Sequence, residues 1–141
     1  MGNIDARRDW GHAREYVEAM WLMLQKDTPN DYVVGTGVDY TVREFIEKAF
    51  AYKGIVVRWE GKGEEEVGIN SGNGKVIVRI DPRYFRPTEV NLLRSDPTKA
   101  KTLLNWQPKI GIDELVRDMI DSDEVELNEE LHGSMGNGRR A

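Results

Sequence analysis

Tyr32–Phe50 reads YVVGTGVDYTVREFIEKAF. An apolar run enters two glycines with one residue between them, and an amphipathic helix pattern follows. A dinucleotide-binding turn begins in that way, but its fingerprint needs a third glycine, G-x-G-x-x-G, so that the helix packs closely on its strand. Gly35 and Gly37 fit, whereas Tyr40 occupies the third place. The helix also carries its own start signal. Thr41-Val42-Arg43-Glu44 is a capping box, in which the Thr41 hydroxyl and the Glu44 carboxylate satisfy free backbone N–H groups. Tyr40 and Phe45 are placed as a hydrophobic staple across it. A first turn capped by its own side chains has fewer N–H groups left for a pyrophosphate. No acidic residue follows a second strand at the distance a ribose contact needs. The glycines therefore read as a tight strand-to-helix turn.

Working outward, Tyr32–Val34 reads as a short strand and Val42–Tyr52 as a helix. Val42, Phe45, Ile46, Ala49 and Phe50 form the helix's apolar stripe, and Gly54 stops it. Upstream, His12–Lys26 reads as a helix with Ala13, Val17, Met20, Trp21 and Leu24 on one face. Asp27-Thr28-Pro29-Asn30-Asp31 ends it. Downstream, the β-branched runs Ile55–Trp59 and Lys75–Ile80 read as strands. The polar, glycine-rich GKGEEEVGINSGNG between them reads as an exposed loop. Asp96 and Pro97 start a third helix through Leu104, as N-cap and first helical residue. A last helix covers Ile112–Ser122, its stripe made by Ile112, Leu115, Val116, Met119 and Ile120. Residues 1–122 form one mixed α/β domain, and 123–141, acidic and then SMGNGRRA, read as a disordered tail.

At 141 residues the chain holds one domain with a real core. Its 39% hydrophobic and 32% charged residues are those of a globular protein, and no apolar run approaches a membrane span. No basic face marks a nucleic-acid binder, since the net charge is −5. The absence of cysteine removes disulfides, thiolate nucleophiles and zinc–thiolate sites, and it fits a cytoplasmic protein. The only histidines, His12 and His132, stand far apart without carboxylates at ligand spacing, so no metal site is expected. His12 reads as a hydrogen-bonding residue at a helix start.

Two arginines stand out. Arg8 lies in RRDWGH, directly before the first helix. Arg86 lies in YFRPTEV, where Pro87 confines it to extended geometry. A guanidinium offers a fixed donor fork that matches phosphate oxygens two at a time. A diphosphate clamp and local pairing with Asp9 or Glu89 are both open on chemistry alone.

The segments RDWGHAREYVEAMWLML, GTGVDYTVREFIEKAF and YFRPTEVNLLRSDPTKAKTLLNWQPKIGIDELVRDMI, in this order, resemble the C-terminal part of the GDP-mannose 4,6-dehydratases. These are extended short-chain dehydrogenases/reductases, and the resemblance covers about Gly2 to Asp121. It implies the small C-terminal substrate domain of such an enzyme, lacking most of the Rossmann domain. The glycine turn then resembles a unit that these reductases carry in their substrate half, away from the coenzyme.

The resemblance implies NADP on a Rossmann domain, GDP-mannose in the cleft beside it, and a homo-oligomeric full-length enzyme. It implies an internal redox elimination. The sugar is oxidised at C4, water leaves across C5–C6, and the hydride returns to C6. The phenolate base of such enzymes sits in Tyr-x-x-x-Lys. Here the residues four beyond the tyrosines are Met20, Thr36, Glu44, Val56 and Thr88. No catalytic residue carries over, so the isolated chain is expected to be inactive and to bind no NADP by itself. The diphosphate arginines of the family carry over to Arg8 and Arg86, and its ribose-binding acid to Glu89. Met1 directly before a family-interior segment reads as a fragment. The alternatives are a non-catalytic GDP-sugar-binding or regulatory module, and a piece of a related nucleotide-sugar epimerase or dehydratase.

Overall fold

The structure, a computed structural model, describes residues 1–85 and 90–136, with side chains to residue 131. Among the described residues, six short strands and four α-helices are interspersed along the chain. Strand β1 (Arg7–Asp9) is followed by helix α1 (Ala13–Leu24), strand β2 (Asp39–Thr41) and helix α2 (Val42–Tyr52). Then come β3 (Val57–Glu60), β4 (Val67–Asn70) and β5 (Val76–Arg79). The chain ends with β6 (Leu92–Leu93), α3 (Thr98–Leu104) and α4 (Ile112–Gly136). The mixed α/β class expected from the sequence is what the chain adopts.

Two small sheets result. The first has the order β2-β1-β6. In it β1 runs antiparallel to β2, with Arg8 opposite Tyr40, and parallel to β6, with Arg8 opposite Leu93. The second is an antiparallel meander, β3-β4-β5. Helix α2 sits between this meander and α4. Its Ile46, Val42 and Phe50 pack with Ile4, Val78 and Ile80, while Phe45 and Ala49 pack on Ile112, Leu115 and Val116. The expected stripe thus serves two cores, one along each edge. The capping box is formed: Glu44 N donates to Thr41 Oγ1 at 3.0 Å, and Thr41 N to Glu44 Oε2 at 2.7 Å.

Four expectations need correction. Tyr32–Val34 is not a strand. Its Tyr32 and Val34 pack against Ala19, Ala100, Leu104 and Trp106, and the ladder partner of β1 lies later, at Asp39–Thr41. The stretch read as an exposed loop contains β4, the central strand of the meander. Gly68 packs tightly there: a Cβ would stand 3.0 Å from Val78 Cβ and 3.1 Å from Trp59 Cζ3, so these neighbours would have to give by a few tenths of an ångström. The third correction concerns α1, whose apolar stripe does not face the core. Val17, Met20, Trp21 and Leu24 are exposed, while Glu15 and Ala19 are buried. Two alanines decide this: Ala19 and Ala100 are both 0% exposed, small enough to let α1 and α3 meet. Finally, α4 does not stop at Ser122 but continues to Gly136. Beyond Ser122 the helix loses its buried face, with Val125, Leu127 and Leu131 exposed, but keeps good helix formers. Periodicity reports burial, so it ends where burial ends. Residues 137–141, the rest of the expected tail, lie outside the described residues.

Helix α3 begins one residue later than expected. Pro97 holds the cap position, and Asp96 Oδ1 accepts from Thr98 N at 3.0 Å. Among the described residues no helix is long and apolar enough to cross a membrane.

Candidate functional site

The first sheet brings three distant segments together around one carboxylate. Asp9, at the end of β1, accepts from Thr36 N at 3.0 Å, Gly37 N at 2.9 Å and Ser95 N at 3.2 Å. The hydroxyls of Thr36 and Ser95 donate to it as well. Burial pushes the Asp9 carboxyl up, but these hydrogen bonds outweigh it and hold the acid below its usual range. The glycine turn is built for this contact. A Cβ at Gly35 would lie 2.1 Å from Ser95 Oγ, and Gly37 has φ +77°, the left-handed region. Its N–H groups already serve an internal anion, and Ser95 fills the space beside Gly35. The turn therefore does not fit a dinucleotide phosphate.

Beside this hub opens a cavity of about 460 Å³, lined by Arg8, Asp9, Tyr16, Gly35, Arg94 and Ser95 together with Val34 and Leu93. Strand alternation separates the arginine doublet. Arg7 turns to the other side, where its Nε bonds the carboxylate of Asp39 and its Nη2 the Asp39 carbonyl at 3.0 Å. Arg8 lines the cavity, and its Nη1 donates to the carbonyls of Arg7 and Val90, each at 2.8 Å. It also borders a second cavity of about 280 Å³ with Met1, Asn3, Arg83 and Tyr84. Arg86 and Glu89 lie outside the described residues; Val90, which Arg8 grips, is the next residue in the chain.

Three cavity residues escaped the sequence reading. Arg94 reaches Asp39 Oδ1 at only 3.5 Å, and its side chain is 56% exposed. Ser95 and Tyr16 complete the wall. The signal for Ser95 and Arg94 was their place directly before Asp96-Pro97, at the end of the short strand that pairs with Arg8. No periodicity marked Tyr16.

Two neighbouring groups are structural. His12 caps α1: its Nδ1 accepts from Arg14 N at 3.1 Å, which leaves the proton on Nε2 to reach Asp118 Oδ2 at 2.8 Å. The expected helix-start role is the one observed. Glu15 is buried, and its Oε1 accepts from the backbone N–H groups of Lys109 and Ile110, tying α1 to the segment before α4.

The family model described as GDP-mannose 4,6 dehydratase matches residues 1–119. The chain belongs to the GDP-mannose 4,6-dehydratase family. A human GDP-mannose 4,6 dehydratase is 58% identical over 127 residues, covering 90% of this chain and 34% of that protein. One from Sinorhizobium fredii is 52% identical over 123 residues, covering 87% and 35%. The chain thus spans about a third of the length of the curated relatives it matches. Among solved structures, UDP-glucose 4-epimerase from Thermotoga maritima with UDP-glucose superposes at TM-score 0.62 and 21% identity, over 90% of this chain and 34% of that one. RMD from Pseudomonas aeruginosa complexed with NADPH does so at 0.60 and 20%, over 83% and 32%. These likenesses fix the fold as that of a third of such enzymes, and the family membership comes from the sequence matches.

Proposed function

We propose that this chain is the nucleotide-sugar-binding part of a GDP-mannose 4,6-dehydratase, and that its cavity takes the diphosphate of GDP-mannose. The observation that carries the reading is Arg8: a guanidinium on the cavity wall, aimed by its bond to Val90 at the strand that follows 86–89. In this reading Arg86 supplies the second fork, and Glu89 accepts from the ribose hydroxyls. Arg94, loosely held by Asp39, adds positive charge at the cavity. Asp9 does not repel the ligand strongly, because its charge is already shared among the N–H and hydroxyl donors of Thr36, Gly37 and Ser95.

The whole enzyme, in this proposal, converts GDP-mannose to GDP-4-keto-6-deoxymannose in the cytosol, with NADP held by residues outside these 141. Within the chain the work is binding and orientation. The arginines neutralise the diphosphate and fix its register, and no residue here takes a proton from the sugar. The chain alone therefore turns over no GDP-mannose.

Calorimetric titration of the purified chain with GDP and GDP-mannose tests this. Saturable binding is expected, weakened by about 1.5–3 kcal/mol in Arg8→Ala or Arg86→Ala, the worth of a hydrogen bond to a charged group. A folded chain that binds neither ligand at millimolar concentration overturns the reading.

A further inference from the structure

Tyr16 is the cavity residue whose presence the fold does not explain. Its ring packs with Trp106, centroids 6.4 Å apart, in the cluster that joins α1 and α3. A phenylalanine would meet that packing equally well. The hydroxyl instead lies over Gly11, where an added Cβ would come within 2.0 Å of Oη and 2.4 Å of Cζ. Glycine at position 11 therefore makes room for a phenol rather than for a turn.

The hydroxyl makes no hydrogen bond among the described residues, yet it is not one of the buried, unsatisfied atoms, so solvent reaches it. Burial and the nearby carboxylates of Asp9 and Glu15 raise its pKa, which keeps the proton on the oxygen. A neutral phenol is a directed O–H donor, and among the described residues it has no acceptor. It shares a cavity with Arg8 and Arg94, the groups that would hold an anion there.

We infer that the Tyr16 hydroxyl is a ligand-binding group, donating to a non-bridging phosphoryl oxygen of the nucleoside diphosphate that Arg8 holds. The inference rests on the site reading given above. It assigns Gly11 and Tyr16 as a pair: the one vacates the space in which the other presents its donor. The phenol fixes the roll of the diphosphate about its long axis, which a single guanidinium fork leaves open.

The test compares the unaltered chain with Tyr16→Phe, which deletes one oxygen and keeps the Trp106 packing. GDP affinity is measured by calorimetry, and inorganic pyrophosphate is titrated in the same way as a probe that lacks base and ribose. The expected result is a loss of about tenfold or more in Tyr16→Phe for both probes, at unchanged melting temperature. Equal GDP affinity in the two proteins overturns the inference and leaves the site reading standing. A loss for GDP with none for pyrophosphate also overturns it, by moving the hydroxyl's partner to the nucleoside. No binding of GDP by the unaltered, folded chain removes the site and the inference together.

Discussion

Asp9 is a carboxylate whose ionised form the fold has surrounded with donors, and acid tests that arrangement directly. Burial raises its pKa and the hydrogen bonds from Ser95, Thr36 and Gly37 lower it by more, so the folded value lies below the unfolded one. A group of this kind contributes stability that is fully present above the unfolded pKa, about 3.9, and is lost as pH falls through the folded value. Urea denaturation from pH 7 down to pH 2.5 should therefore show an acid limb to which Asp9 contributes. In Asp9→Asn that limb should be shallower. The variant should also be less stable at pH 7 by about 1–3 kcal/mol, because an amide turns an N–H₂ donor toward donors that need an acceptor. An identical acid limb in the two proteins would mean that the hub's charge is not what holds β1, the glycine turn and Ser95 together. The same residue explains why the site was only half readable. Arg8 could be found because Asp9-Trp10 follows it directly. The cavity around it depends on Asp9 meeting Thr36, Gly37 and Ser95, and no local pattern announces contacts between segments so far apart in the chain.

Helix α2 shows the opposite case, an element whose sequence signals all agree. Thr41 and Glu44 start it, a five-residue stripe gives it two buried edges, and Gly54, at φ +72°, ends it. Replacing Thr41 by Ala should cost about 0.5–2 kcal/mol, since one helix N–H loses its acceptor. Lys53→Ala should cost less than Thr41→Ala, because its pair with Glu124 is exposed on both sides, at 45% and 48%, and screened by solvent. Chemical denaturation of the two variants checks that order; a costlier Lys53→Ala would shift the weight from cap to ion pairs. Elements with conflicting signals were misread. In β4 the pattern Val67-Gly68-Ile69 is broken by a glycine packed closely against Trp59 and Val78, and three glutamates stand before it. In α1 apolar residues occur on both sides, and sequence periodicity favoured the side with the larger side chains. Packing chose the side with Ala19, because close approach to α3 needs a small residue more than an apolar one.

At the scale of the whole molecule, α1 keeps apolar side chains on a face that none of the described residues covers. Val17 is 62% exposed, Met20 58%, Trp21 59% and Leu24 82%. A contiguous apolar patch of this kind left in water drives association. Concentration should therefore raise the apparent mass of the purified chain, and α1 should be the cause. The paired change Val17→Glu with Trp21→Lys tests this without touching Ala19 or Tyr16. It removes two members of the patch and places a glutamate one turn before a lysine, an arrangement worth about 0.2–0.5 kcal/mol to the helix. Sedimentation velocity over a range of concentrations should then show less self-association than the unaltered chain, with thermal unfolding unchanged or slightly later. Undiminished association would place the contact elsewhere, with the half-exposed Leu92 and Leu93 of β6 the next face to alter. Loss of folding in the paired variant would instead show that this face of α1 is packed in solution.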